Sequence, residues 1–343
     1  MNKKYFLVLI ATILSVSYLS AQQRPAQNQI RFHGPFIENF NNPTSEFFNF
    51  NPLSRDRAGE DDFRYFSGIP SLSEKGTNIM MYRIDPKDPA GAGRGPEMIS
   101  KNWTHFGSYA VRLKIPDITK VQPNTGIVVG YFTYNVDPTY GQSEIDWEWL
   151  IADPEILYVG TWTGVRPQSN RVGRTLNMAT GQIYSTSYRS EDRSAGERQA
   201  TNRGQLTGAQ AQPETITPIE GFNAAERFYV YGFDWYPDRM VWWILHPDTN
   251  EKILLFDYSN PTPLFPGQPA SVGIPVNPSQ YRLNYWHTNN WPVQTNPNSI
   301  ELPLYRYELE IDWISYTPFE DLNKEWLEKN PAWQEQRRGS TGN

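Results

Sequence analysis

The sequence predicts an all-β chain built as an antiparallel sandwich, and three observations carry that reading. Its apolar and aromatic runs are short, rich in β-branched residues, and closed off by Pro, Gly, Asn or Asp. Aromatic residues are abundant, with 12 Trp, 20 Tyr and 17 Phe, and their flat faces suit both a β-rich core and sugar binding. Strands do not alternate with helical patterns, which argues against a parallel sheet with crossovers.

Taken in order, the chain opens on Lys3 and Lys4, an apolar run from Tyr5 to Leu19, and the small pair Ser20-Ala21. This reads as an export signal over residues 1–21, with the mature protein starting near Gln22 and secreted or periplasmic. The apolar run is shorter than the roughly 20 residues a helical span needs, so no membrane insertion is expected. Residues 22–60, rich in Asn, Pro and Phe, read as an irregular arm, and residues 61–318 as the sandwich. Strands are expected over Ser108–Ile115, Gly126–Tyr134, Ser143–Leu150, Ile156–Gly164, Phe228–Trp235, Arg239–Leu245, Lys252–Tyr258, Tyr281–His287 and Tyr305–Tyr316. Tyr236-Pro237-Asp238 supplies a tight turn between two of them. Residues 165–225, with little apolar periodicity, read as a long insertion, either a functional loop or a disordered one. In 319–343, Leu322, Trp326 and Leu327 stand at helical spacing, so a short docked helix is expected before a polar tail.

Composition excludes several classes of function. There is no cysteine, hence no disulfide, thiol nucleophile or thiolate metal site. The net charge of -6 and the lack of a basic run argue against nucleic acid as a partner. The four histidines, His33, His105, His246 and His287, lack metal-ligand spacing, and His105 and His287 read as loop or cleft-edge residues. No glycine-rich phosphate loop accompanies a strand and helix, so no cofactor is required. A monomer acting on a neutral or locally recognised substrate is the expectation.

One segment carries chemistry. In Ser143 to Leu150 the strand period of two puts Glu144, Asp146 and Glu148 on one face and Ile145, Trp147 and Trp149 on the other. Acids roughly 7 Å apart along a strand repel one another, more so out of water. Glycoside hydrolysis needs two carboxyl groups in different protonation states, and a third between them can tune the pair: ionised neighbours would raise the pKa of the acid that must keep its proton. The outer Cα atoms are separated by roughly 13 Å, so the two Glu side chains must lean inward to reach the 5 to 5.5 Å of a retaining pair. The same alternation recurs at Glu308, Glu310 and Asp312, where it reads as a solvated strand face. Calcium ligation is a further reading of either set.

The segment Glu144-Ile145-Asp146-Trp147-Glu148 resembles the signature of glycoside hydrolase family 16, above all its lichenase-type members. Phe106 to Lys114, Thr125 to Val128 and Phe132 to Tyr134 resemble the segments preceding that signature. Tyr231 to Trp235, Pro237 to Arg239, Trp242, Leu283 to Trp286 and Asp312 to Ile314 resemble those that follow, in preserved order. The resemblance implies a β-jelly-roll of two curved antiparallel sheets with an open cleft, and retaining cleavage of internal polysaccharide bonds. By motif position, Glu144 would be the nucleophile, Asp146 the helper and Glu148 the acid and base. Tyr134, Trp162, Asn284 and Trp286 fall where the family contacts sugar, and Asp312 where lichenase-like relatives hold a structural calcium. The unbulged spacing leans toward β-glucan. Gly160, where lichenases carry a sugar-binding Asn, and the long insertion depart from them.

That insertion carries Arg166, Arg171, Arg174, Arg189, Arg193, Arg198 and Arg203 and no Lys. Guanidinium forks match sulfate-like oxygens, which makes a sulfated algal galactan one reading. A solvated mobile loop, partly neutralised by Glu191, Asp192 and Glu197, is the other. A transglycosylase would use the same acids, and a sugar-binding lectin could use the same fold without chemistry.

Overall fold

The computed structural model describes residues 31–42, 44–50, 63–67, 73–84, 86, 95–192, 199–206, 215–259, 273–289, 291, 294 and 300–333. The export-signal reading of 1–21 lies outside them. In chain order the strands are β1 (Phe36–Glu38), β2 (Phe48–Asn49), β3 (Phe63–Ser67), β4 (Asn78–Ile84), β5 (Glu97–Ser100), β6 (Gly107–Lys114), β7 (Ile127–Asp137), β8 (Gly141–Leu150), β9 (Ile156–Gly164), β10 (Gln168–Asn177), β11 (Ile183–Asp192), β12 (Gln199–Gln205), β13 (Tyr229–Trp235), β14 (Arg239–Leu245), β15 (Lys252–Ser259), β16 (Gln280–His287) and β17 (Tyr307–Pro318).

They form a β-jelly-roll sandwich of two antiparallel sheets. One runs β15-β14-β13-β6-β17-β4-β3, with β1 added to β17; the other runs β12-β11-β10-β9-β8-β7-β16-β5-β2. Strand β8, which carries the three acids, is the middle one of its nine.

Aromatic rings from alternate positions fill the space between the sheets. Trp147 and Trp149, on the back of β8, stack at 5.5 Å and meet the Tyr231 ring edge-on at 5.3 and 4.7 Å. Tyr109 stacks on Phe233 at 4.5 Å. Such pairs add about 0.5–1.5 kcal/mol each to area burial, and their polar edges need partners. The Tyr281 hydroxyl lies 2.6 Å from that of Tyr131 and within reach of the Ala110 and Ser315 carbonyls, tying one sheet to the other. Trp242 of β14 donates its indole N–H to the Asp146 carbonyl at 3.2 Å, bracing the acid strand from behind.

Nine expected strands match β6 to β9 and β13 to β17 closely. Two segments differ from their reading as irregular. The arm contributes β1, paired with β17, and β2, paired with β5, so each sheet receives one strand of it. Its Phe36 stacks on Phe47 at 4.5 Å and meets Phe48 edge-on. The insertion read as a loop instead contains β10, β11 and β12, which extend the acid-bearing sheet by three antiparallel strands. Polar side chains mask them: a strand whose face carries Arg, Ser, Thr and Asn has no apolar alternation to reveal it. Of its arginines, Arg174 is buried and structural. It donates to Thr186 Oγ1 at 2.9 Å and to the Leu255 carbonyl at 2.8 Å. Leu255 is the extra residue of a bulge in β15, where pairing to β14 slips, so its carbonyl needs that donor.

His105 and His287 are not edge residues. Both are fully buried, and burial lowers the His105 pKa to about 3 while its Nε2 bonds the Val276 carbonyl at 3.0 Å. Phe32–Asn323 make up one compact unit. The helix Glu320–Lys329 forms as expected, with Leu322, Trp326 and Leu327 half-buried along one stripe and its charged residues exposed. Beyond it Trp333 is buried and meets Trp326 edge-on at 5.8 Å.

Candidate active site

Residues directly opposed in an antiparallel sheet share a face, so register alone assembles the site. Glu144 lies between Tyr134 of β7 and Trp162 of β9, Asp146 between Phe132 and Gly160, and Glu148 between Gly130 and Tyr158. One strand further out, Arg171 of β10 opposes Trp162, while Gln280, Arg282 and Asn284 of β16 oppose Tyr134, Phe132 and Gly130. Glu144, Asp146 and Glu148 are each half-buried, in strict alternation with buried Ile145, Trp147 and Trp149. The two-residue period places the acids as expected, on the face turned away from the sandwich core.

The expected sugar-contacting residues gather on this face. Tyr134, Trp162, Asn284 and Trp286 are half-buried, so neither tryptophan is a fully enclosed core residue. Trp286 packs beside Val128, Leu150, Ile156 and Tyr158 and meets Trp291 edge-on at 6.1 Å. Asn284 crosses Gly130, where any Cβ would overlap its Oδ1, and that oxygen has no hydrogen-bond partner among the described residues. Gly160 sits against the β10 backbone, a Cβ there falling 2.6 Å from the Val172 carbonyl, so the floor beside Asp146 is bare on that side.

Sequence reasoning missed Gln142, Arg282 and Glu97. Gln142 donates its amide to Glu144 Oε2. Arg282 spans the far side, pairing with Glu97 at 3.2 Å, donating to Gln280 at 3.1 Å and lying over the Tyr134 ring at 5.1 Å. Gln142 stands two residues before Glu144, on the same strand face, a signal legible in the period alone.

Electrostatics separate the acids. Burial pushes the Glu148 carboxyl up to about 7, with the Arg171 charge pulling the other way. Asp146 is raised well above the usual carboxylate range, first by burial, then by Glu144 and Glu148 on either side. The ionised-neighbour effect expected on Glu148 therefore falls on Asp146, and for Glu148 desolvation dominates. Neither Asp146 nor Glu148 forms an ion pair among the described residues.

Asp312 does not join this face and does not fit a calcium site. It is the extra residue of a bulge in β17, fully buried, and pairs with Arg112 Nη1 at 2.5 Å. Ser73 Oγ donates to it at 2.8 Å and the Glu74 N–H at 2.7 Å. A guanidinium, a hydroxyl and an amide N–H already engage both oxygens, and a second cation would meet the positive charge of Arg112. Among the described residues no cluster of three His, Asp or Glu suits a metal ion.

Fold and face together define a two-sheet β-jelly-roll with an acidic strand in the middle of a partly exposed, aromatic-lined sheet. No protein-family model matches the chain and no curated protein does. Among solved structures it is similar to a Bacillus licheniformis β-glucanase, at 19% identity and TM-score 0.44 over 83% of this chain and 98% of that one. It is also similar to a prokaryotic β-1,3-1,4-glucanase (lichenase) derived from a mouse hindgut metagenome, at 19% and 0.46 over 84% and 100%. A third is the Crh5 transglycosylase in complex with NAG, at 14% and 0.45 over 87% and 88%.

Proposed function

We propose that the protein is a secreted retaining endo-β-glycosidase that hydrolyses internal β-linkages of a polysaccharide, a β-glucan or an algal galactan. The observation that carries this reading is the set Glu144, Asp146 and Glu148 on one half-buried strand face, with Glu148 held near neutral pKa by burial. In the first step Glu148 gives its proton to the glycosidic oxygen as the bond to the anomeric carbon breaks. Glu144 attacks that carbon from the opposite face and forms a glycosyl ester. Glu148, now a carboxylate, takes a proton from water, whose oxygen attacks the same carbon and releases Glu144, so configuration is retained. Asp146, its carboxyl raised and placed between them, keeps a proton where a third negative charge would repel Glu144. Tyr134, Trp162 and Trp286 offer faces to the sugar rings, and the orphan Asn284 Oδ1 would accept a sugar hydroxyl.

The test is reducing-end release from lichenan, barley glucan, laminarin, xyloglucan, agarose, porphyran and carrageenan, with Glu148→Gln in parallel. Release by the parent protein and its loss in the variant is expected. Release from none of them, or equal release by both proteins, would overturn the proposal.

A further inference from the structure

On the acid-bearing face three arginine side chains are described, and they are not equivalent. Arg282 pairs with Glu97 at 3.2 Å, and Arg189 pairs with the fully buried Glu191 at 2.7 Å. Arg171 forms no ion pair and no hydrogen bond among the described residues. Its guanidinium lies over the Trp162 ring, 5.8 Å from the centroid, near the outer limit of a cation–π contact. It is half-buried, so its forked donors have already lost part of their water without gaining an acceptor.

Register explains how it comes to be there. Arg171 opposes Trp162, which opposes Glu144, so the guanidinium strand is two strands, or roughly 10 Å, from the acid strand. Across β11 and β12 the same row continues at Arg189 and Arg203. The three-strand extension thus sets an arginine in one row on each of its strands, beginning beside the aromatic ring next to the reacting acids.

We propose that Arg171 recognises an anionic substituent, a sulfate ester or a carboxylate, on the sugar unit that lies over Trp162. The inference rests on the reading of this face as a polysaccharide site. An anionic polymer brought to a face that holds a carboxylate nucleophile is disfavoured unless a local cation offsets that charge, and a planar fork holds two oxygens of a sulfate or carboxylate at once. Arg282 and Arg189 are each held by a direct carboxylate contact, whereas Arg171, whose charge acts on Asp146 and Glu148 without an ion-pair contact to either, keeps its fork open for that role.

The experiment compares porphyran and carrageenan with their chemically desulfated forms, and a glucuronate-bearing β-glycan with its carboxyl-reduced form. Parent protein, Arg171→Gln and Arg171→Lys are assayed for cleavage, and the same substitutions in a Glu148→Gln background for binding by affinity electrophoresis. The expected result is a charged-to-uncharged preference that falls about tenfold or more in Arg171→Gln and partly in Arg171→Lys, which keeps the charge but not the fork. Loss on the sulfated pair identifies a sulfate ester, and loss on the uronate pair a carboxylate. If Arg171 acted only on the acids, both members of each pair would change together and the preference would stay fixed, overturning the proposal. Should no polymer be cut, the hydrolase reading fails, and the binding preference still decides the role of Arg171: an Arg171-dependent preference supports it, and equal affinity for charged and uncharged forms overturns it.

Discussion

Two strands of this protein carry acids at alternate positions, and the fold treats them in opposite ways. In β17, Glu310 pairs with Lys114 at 2.5 Å and Asp312 with Arg112 at 2.5 Å, the latter buried at a bulge that turns it out of the alternation. In β8, Asp146 and Glu148 have no ion pair among the described residues, and both carboxyls are raised by burial. The β17 acids are matched to partners as structural charges are; the β8 acids are held in a state that costs stability, as reacting groups are. Alternation alone distinguishes neither strand. Partnering does.

The sharpest break of this comparison substitutes one acid in each strand. Glu144→Gln is expected to lower turnover on the cleaved polysaccharide by about 10⁴-fold or more, whereas Glu310→Gln leaves it within about twofold. Next in size is stability at the β17 bulge. Arg112→Met strands the buried Asp312 and should cost about 3–5 kcal/mol by urea denaturation, while a chelator leaves the parent midpoint in place because a guanidinium, not calcium, answers that carboxylate. A chelator-sensitive midpoint would restore the calcium reading.

Asp146→Asn separates function from stability. It should lower kcat about 100-fold and raise the melting temperature at pH 8 by a few degrees, since it removes a carboxyl whose raised pKa costs stability at that pH. The smallest effect is in pH. The Glu148 pKa rises from 4.5 to about 7 on folding, so the folded state holds the extra proton. That group's contribution to stability is full below pH 4.5 and is lost as pH rises through 7. In parallel kcat/KM should fall about tenfold per pH unit above 7, as the proton donor empties. A flat profile from pH 6 to 9 would remove Glu148 from the acid role.

Much of this is legible in the residues because apolar alternation announces a half-buried strand. The spacing of Ile145, Trp147 and Trp149 is enough to assign Glu144, Asp146 and Glu148 to the opposite face. Strands without that signal stay hidden: β10 to β12 carry polar residues on both faces, and β1 and β2 are too short to show a period. Asp312 misleads because a bulge shifts it by one position, and a bulge leaves no mark in spacing. Arg174 and Arg171 look alike in sequence; only their strand parity sends one between the sheets and the other to the acid face. The cause of the raised Glu148 pKa is not legible either, since it depends on how much water the fold excludes.

The central claim is that the β8 acids cleave a glycosidic bond through an ester on Glu144. Proton NMR of the newly formed reducing end, recorded before mutarotation, tests it most directly. The β-anomer is expected to appear first, and Glu144→Gln to produce neither anomer; an α-anomer formed first would contradict the ester route.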